Sequence, residues 1–129
     1  MRPGHVYIAP DSCQLGLSDS YMTDITPGPA IGGFRPSANY MFEAVARTHT
    51  RGALAVVLTG MGEDGLSGLR AIHGAGGRVF AQDEATSVVF GMPGAAVEAG
   101  LVDATLALDM IAPRIKVALR DGNRATVKP

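Results

Sequence analysis

Apolar positions recur along this chain with two different periods, and the changes of period mark its elements. His5-Val6-Tyr7-Ile8-Ala9 is a strand-like run closed by Pro10. Tyr21, Thr23 and Ile25 alternate with polar residues, as one arm of a hairpin would. Pro27-Gly28-Pro29 and Gly32-Gly33 then mark a loop. After Pro36 the period lengthens: Ala38, Met41, Phe42 and Val45 fall at i, i+3, i+4 and i+7, one face of a helix that Ser37 is placed to cap and Arg51-Gly52 to end. Ala53 to Leu58 is short and wholly apolar, the signature of a strand buried on both faces in a parallel sheet. Leu66, Leu69 and Ile72 return to helical spacing until Gly74, Gly76 and Gly77. Arg78 to Ala81 predicts a further strand, Pro93 to Ala99 a short helix, and Leu101-Val102 a short strand. Leu108, Ile111, Ile115 and Leu119 give a final helix, with Arg114, Lys116 and Arg120 toward its C-terminal end, where positive charge is favourable. This alternation predicts an α/β layered fold, with residues 5–9, 54–58 and 78–81 as parallel neighbours and helices near 37–49, 66–75 and 109–120 packed on them.

Composition narrows the function. The 129 residues suit one domain, and 47% hydrophobic content excludes a disordered tail. A net charge of −1 argues against a nucleic-acid partner, which needs clustered Lys and Arg. No apolar run approaches the roughly 18 residues of a membrane span, so membrane insertion is not expected. Cys13 is the single cysteine; it can form neither an internal disulfide nor a cysteine metal cluster, which points to the cytoplasm. His5, His49 and His73 are scattered and make no metal signature.

Gly60-Met61-Gly62-Glu63-Asp64-Gly65 satisfies the dinucleotide pattern G-x-G-x-x-G, follows an expected strand and opens an expected helix. Its charges oppose that use. A pyrophosphate would sit over the helix N-terminus, where Glu63 and Asp64 already place two carboxylates. Asp64 at the carboxyl end of a central strand instead suits an aspartate that orients a histidine and stabilises its imidazolium form. The plainer alternative is that Asp64 only caps the helix from Gly65; the two roles are compatible.

Four stretches together resemble the CheB-type chemotaxis protein-glutamate methylesterases: Pro3 to Pro10, Arg35-Pro36-Ser37, Thr59 to Gly65, and Ala81-Gln82-Asp83-Glu84 through Ser87 to Pro93. The similarity runs from about Pro3 to Ile111. It implies an open, mainly parallel sheet flanked by helices, Rossmann-like in its three layers. It implies hydrolysis of glutamyl methyl esters on the cytoplasmic helices of chemoreceptors, with deamidation of receptor glutamines, by a Ser-His-Asp triad without metal or organic cofactor. Carried over by motif, Asp64 is the triad aspartate, and Met61 lies at the substrate cleft with its backbone N–H at the oxyanion site.

Asn39 and Leu66 stand where the family more often has Asp and Ala. The larger departure concerns the nucleophile. The family's Gly-x-Ser-x-Gly-Gly turn and its histidine both precede the segment that here begins at Pro3. Residues 1–129 are therefore expected to be the later, N-terminally incomplete part of the catalytic domain, without the Ser/His-bearing segment or the family's receiver domain. Ser67, in Gly65-Leu66-Ser67-Gly68, comes closest to a nucleophile motif but reads as a helix-surface residue. The chain alone is expected to be inactive, with a separate Ser/His-bearing segment as one candidate partner. The alternative is a non-catalytic receptor-binding or interaction module.

Overall fold

The computed structural model describes residues 1–126. Its elements in chain order are β1 (Gln14–Leu17), β2 (Thr23–Thr26), α1 (Ala38–His49), a 3-10 turn (Thr50–Gly52), β3 (Leu54–Val57), α2 (Leu66–Gly74), β4 (Arg78–Gln82), α3 (Met92–Glu98), β5 (Ala104–Leu106) and α4 (Leu108–Thr126). β3, β4 and β5 form a parallel sheet in that order. β1 and β2 form a separate antiparallel hairpin, with Leu15 opposite Ile25.

The register explains the layers. Ala55 pairs with Val79 and Val57 with Ala81, so these four residues share a face. Ala55, Val57 and Val79 join Leu69 and Ile72 of α2, Ala46 of α1 and Ala96 of α3 in one core cluster. The opposite face carries Arg78 and Phe80, and from it the Arg78 guanidinium donates to the Ala118 carbonyl of α4 at 2.9 Å. α4 therefore covers the second face, and the expected three-layer arrangement stands.

Helix α1 is buried on two sides, which a single apolar stripe does not predict. Gly16 of β1 meets Tyr40 and Ala44, and Gly68 of α2 meets Phe42 and Asn39. At the second crossing a Cβ on Gly68 would stand 2.6 Å from the Cβ of Phe42. The backbones of α1 and α2 approach so closely only because that position has no side chain.

Two expectations need correction, and one strand went unassigned. His5 to Ala9 is not a strand: it pairs with no ladder. Its course explains why. The segment runs past the hairpin, where Tyr7 turns toward a cavity lined also by Leu15, Leu17 and Val45, and where the Arg2 N–H donates to the Tyr7 hydroxyl. Val6 and Ile8, on the other side, are 90% and 85% exposed. The third sheet strand is Ala104–Leu106 instead. Leu101-Val102 is not that strand, because Leu101 is used to end α3. Gly100 adopts φ +70, and the Leu101 N–H returns to the Ala96 carbonyl, a left-handed helix stop that turns Leu101 into the core. Finally, Gln14–Leu17 forms the first hairpin arm, in a stretch whose pattern reads as weak.

A Gly68→Ala substitution is expected to lower stability by about 1–3 kcal/mol through overpacking against Phe42 and Asn39. Gly74→Ala, at the end of the same helix and facing open space, should change it by less than about 1 kcal/mol. Urea denaturation of the two variants checks the contrast.

Candidate functional site

The carboxyl ends of β3 and β4 lead into the two loops that build the site. Thr59 and Gly60, just after β3, are tied to the segment from Thr86 to Met92. The Thr59 hydroxyl donates to the Val89 carbonyl and accepts from the Val89 N–H; the Gly60 N–H donates to the same carbonyl, at 3.0 Å. The Gly60 carbonyl in turn accepts from the N–H groups of Gly91 and Met92, at 3.1 and 3.0 Å. A Cβ on Gly91 would lie 2.7 Å from that carbonyl, which explains the glycine. Buried Gln82 fixes both sides from beneath: its carbonyl oxygen accepts from the Thr59 N–H at 2.8 Å, and its amide donates to the Thr86 carbonyl at 2.8 Å.

Within this frame Gly62 and Gly65 take φ of +83 and +100, turning the loop so that Asp64 faces α1. One Asp64 carboxylate oxygen accepts from the Ser37 hydroxyl at 2.8 Å, the other from the Ala38 N–H at 2.7 Å. Asp64 is thus a cap, but of α1 rather than of the helix that follows it. α2 begins after Gly65 with no side-chain cap. The expected capping role of Ser37 is corrected in the same way: its hydroxyl donates a hydrogen bond to Asp64 instead of accepting from a helix N–H. The anion sits where the partial positive charge of the helix end stabilises it.

Gln14 completes the support. Its side chain is 1% exposed; its carbonyl oxygen accepts from the Ser37 N–H at 2.8 Å, and its amide donates to the carbonyls of Pro29 and Phe34. The loop from Pro29 to Ser37 is thereby held from β1. Neither buried glutamine stands out by residue type. The available signals are Leu15 and Leu17 at strand spacing beside Gln14, and the position of Gln82 at the end of a strand.

Met61 is 76% exposed at the tip of the glycine loop, and its backbone N–H has no acceptor among the described residues. Two openings flank Asp64. One of about 270 Å³ is lined by Ala9, Leu15, Pro36 and Met41; the other, of about 350 Å³, by Gly32, Phe34, Asn39 and Glu63.

The remaining candidates are brought to no common place. Ser67 lies exposed on α2 and donates to Glu43 at 3.1 Å, a helix-surface contact. Ser37 is 2% exposed. His5 contacts the Pro3 carbonyl, and His49 pairs with the Thr48 hydroxyl and packs edge-on against Tyr21. No serine–histidine hydrogen bond occurs among the described residues. Among them, too, no group of three or more His, Cys, Asp and Glu side chains could hold a metal ion. Asn39 accepts from the Gly68 N–H at 2.9 Å, so its side-chain oxygen serves the α1–α2 crossing.

Comparison with known proteins now adds a decisive observation. Residues 1–115 match the family described as CheB methylesterase. The chain belongs to this family. It is 51% identical over 120 residues to a protein-glutamate methylesterase/protein-glutamine glutaminase of Myxococcus xanthus (strain DK1622), and equally to one from the group 3 operon of Rhizobium meliloti (strain 1021). Each match covers 93% of this chain and 34% of the relative, so the chain spans about a third of their length. The crystal structure of the Thermotoga maritima CheB methylesterase catalytic domain superposes with a TM-score of 0.84 at 35% identity, over 88% of this chain and 61% of that one. The parallel sheet with flanking helices is thus that of a CheB catalytic domain. No helix among the described residues is long and apolar enough to cross a membrane.

The Asp64 cap makes a stability prediction independent of function. Asp64→Ala strands the Ala38 N–H and the Ser37 hydroxyl and is expected to cost about 1–2 kcal/mol. Asp64→Asn keeps one carbonyl acceptor and should cost less than about 1 kcal/mol. Thermal unfolding of the three proteins side by side gives the ranking.

Proposed function

We propose that residues 1–129 are the C-terminal part of a CheB-type methylesterase catalytic domain and supply the aspartate of its Ser-His-Asp triad. The reaction is hydrolysis of glutamyl methyl esters on the cytoplasmic helices of methylated chemoreceptors, releasing methanol, with deamidation of receptor glutamines as the second activity. The place of action is the cytoplasm. The observation that carries this reading is the Asp64 carboxylate, fixed by the Ser37 hydroxyl and the Ala38 N–H at the mouth of the sheet. Each oxygen accepts one bond there and keeps lone-pair capacity for another donor. A histidine Nδ1–H directed at it would be held in the tautomer that leaves Nε2 free to take a serine proton. Met61, with its unengaged N–H on a loop locked through Gly60, supports the oxyanion assignment.

The serine and histidine come, on this reading, from a part of the catalytic domain outside residues 1–129. Ser37 is buried and already donates to Asp64, and Ser67 faces Glu43. The absence of any serine–histidine hydrogen bond among the described residues favours, as the second reading, a receptor-binding module without turnover. Mixing decides between them. The chain alone is expected to hydrolyse no glutamyl methyl ester above a buffer control, and to gain activity when combined with a family segment bearing the Gly-x-Ser-x-Gly-Gly turn and the histidine. Binding of methylated receptor without activity in either case would establish the module. In the completed domain, Asp64→Asn is expected to cut turnover by about 10⁴-fold, as loss of the orienting aspartate does in serine proteases. Glu63→Gln should cost far less. Near-normal turnover in Asp64→Asn would reduce Asp64 to a cap.

A further inference from the structure

Beside the Asp64 openings lies a groove of about 370 Å³ that the hydrolytic reading does not use. It runs between the glycine loop and α3. Phe90, Gly94, Ala95 and Val97 give it an apolar part. A Cβ on Gly94 would stand 3.0 Å from the Phe90 ring, so the glycine keeps the ring flush with the helix. Its rim carries two carboxylates, Glu63 on the loop and Glu98 at the end of α3. Both are exposed, and neither has a hydrogen-bonding or ionic partner among the described residues. No basic side chain lines the groove.

We infer that this groove receives a lysine or arginine side chain of the protein segment whose glutamyl ester is hydrolysed, and so selects substrates that carry a basic residue near the reacting glutamate. The inference rests on the methylesterase reading above. The chemistry follows from the lining. Long basic side chains lay an apolar stem on apolar surface and keep the charged head at the water boundary. Phe90 and the α3 glycine–alanine face suit the stem, and Glu63 and Glu98 suit the head. The aromatic ring adds a cation–π contribution. A divalent metal fits less well, since two carboxylates beside an apolar part offer too few oxygens for calcium or magnesium. Acidic or phosphorylated partners are repelled. The groove adjoins the site through the chain itself: Glu63 precedes Asp64, and Gly62 follows Met61.

Fluorescence anisotropy on the chain tests the proposal with four labelled helical peptides. They carry a glutamyl methyl ester or a leucine at one position, and a lysine or a glutamine at a second. Replacing lysine by glutamine is expected to weaken binding about three- to tenfold at low salt, less as ionic strength rises, because rim charges are screened. Glu63→Gln combined with Glu98→Gln should abolish that preference, leaving affinity for the glutamine peptides unchanged. Equal affinity of the lysine and glutamine peptides, a preference that survives the double substitution, or no binding by any of the four overturns the groove assignment. A lysine preference together with equal affinity for the ester and leucine peptides supports the groove and strikes at the ester reading, so the two fail separately.

Discussion

The Asp64 carboxylate is the contact on which the arrangement of this domain's functional end depends. It joins the loop after β3 to the first residues of α1, two segments that sequence separates by more than two dozen positions. Both bonds are short, and the acceptor is charged, so each is stronger than a neutral hydrogen bond. The capping energy alone is modest, about 1 kcal/mol, and does not explain why a carboxylate rather than a serine serves there. The choice makes sense if the anion has a second task. A carboxylate held on one side by two fixed donors presents its remaining lone pairs in a fixed direction, and orienting a histidine requires just that.

Around this contact the protein spends two buried glutamines and a set of glycines on holding backbone, not on chemistry. Gln14 anchors the segment that ends in Ser37, and Gln82 anchors the strand end that leads to Gly60. Gly91 lets the segment after β4 lie against the Gly60 carbonyl, and Gly68 lets α1 and α2 cross at backbone distance. The glutamine clamps and the Gly60–Gly91 contact restrain loops, while Gly68 sets the crossing of two helices. A preorganised donor or acceptor stabilises charge without reorganising when the charge appears. The Met61 side chain, 76% exposed, projects from this locked frame.

Much of this was legible in the residues. Ala53 to Leu58 gave β3 because a short wholly apolar run has few other uses, and the glycines after Ile72 stopped α2 through the left-handed turn they favour. The stretches Thr59 to Gly65 and Ser87 to Pro93 carried the family resemblance together, and Gly60 and Gly91 do meet. The misreadings share a cause: tertiary partners that local pattern does not contain. His5 to Ala9 has the composition of a strand but finds no ladder. Leu101 was spent on a helix stop, which moved the strand to Ala104. Asp64 looked like a cap for the helix it precedes in sequence, whereas its side chain reaches the helix it adjoins in space. Gln14 and Gln82 carry nothing in their type to distinguish a buried clamp from a surface amide.

The account stands on Asp64 orienting an imidazole while it caps α1. Proton NMR of the domain completed with its Ser/His-bearing segment observes that bond directly. The account predicts a far-downfield histidine Nδ1–H resonance in the native domain and its loss in Asp64→Asn, with the amide spectrum of α1 otherwise retained. A downfield proton that persists unchanged in Asp64→Asn, or a native domain that shows none, would contradict it.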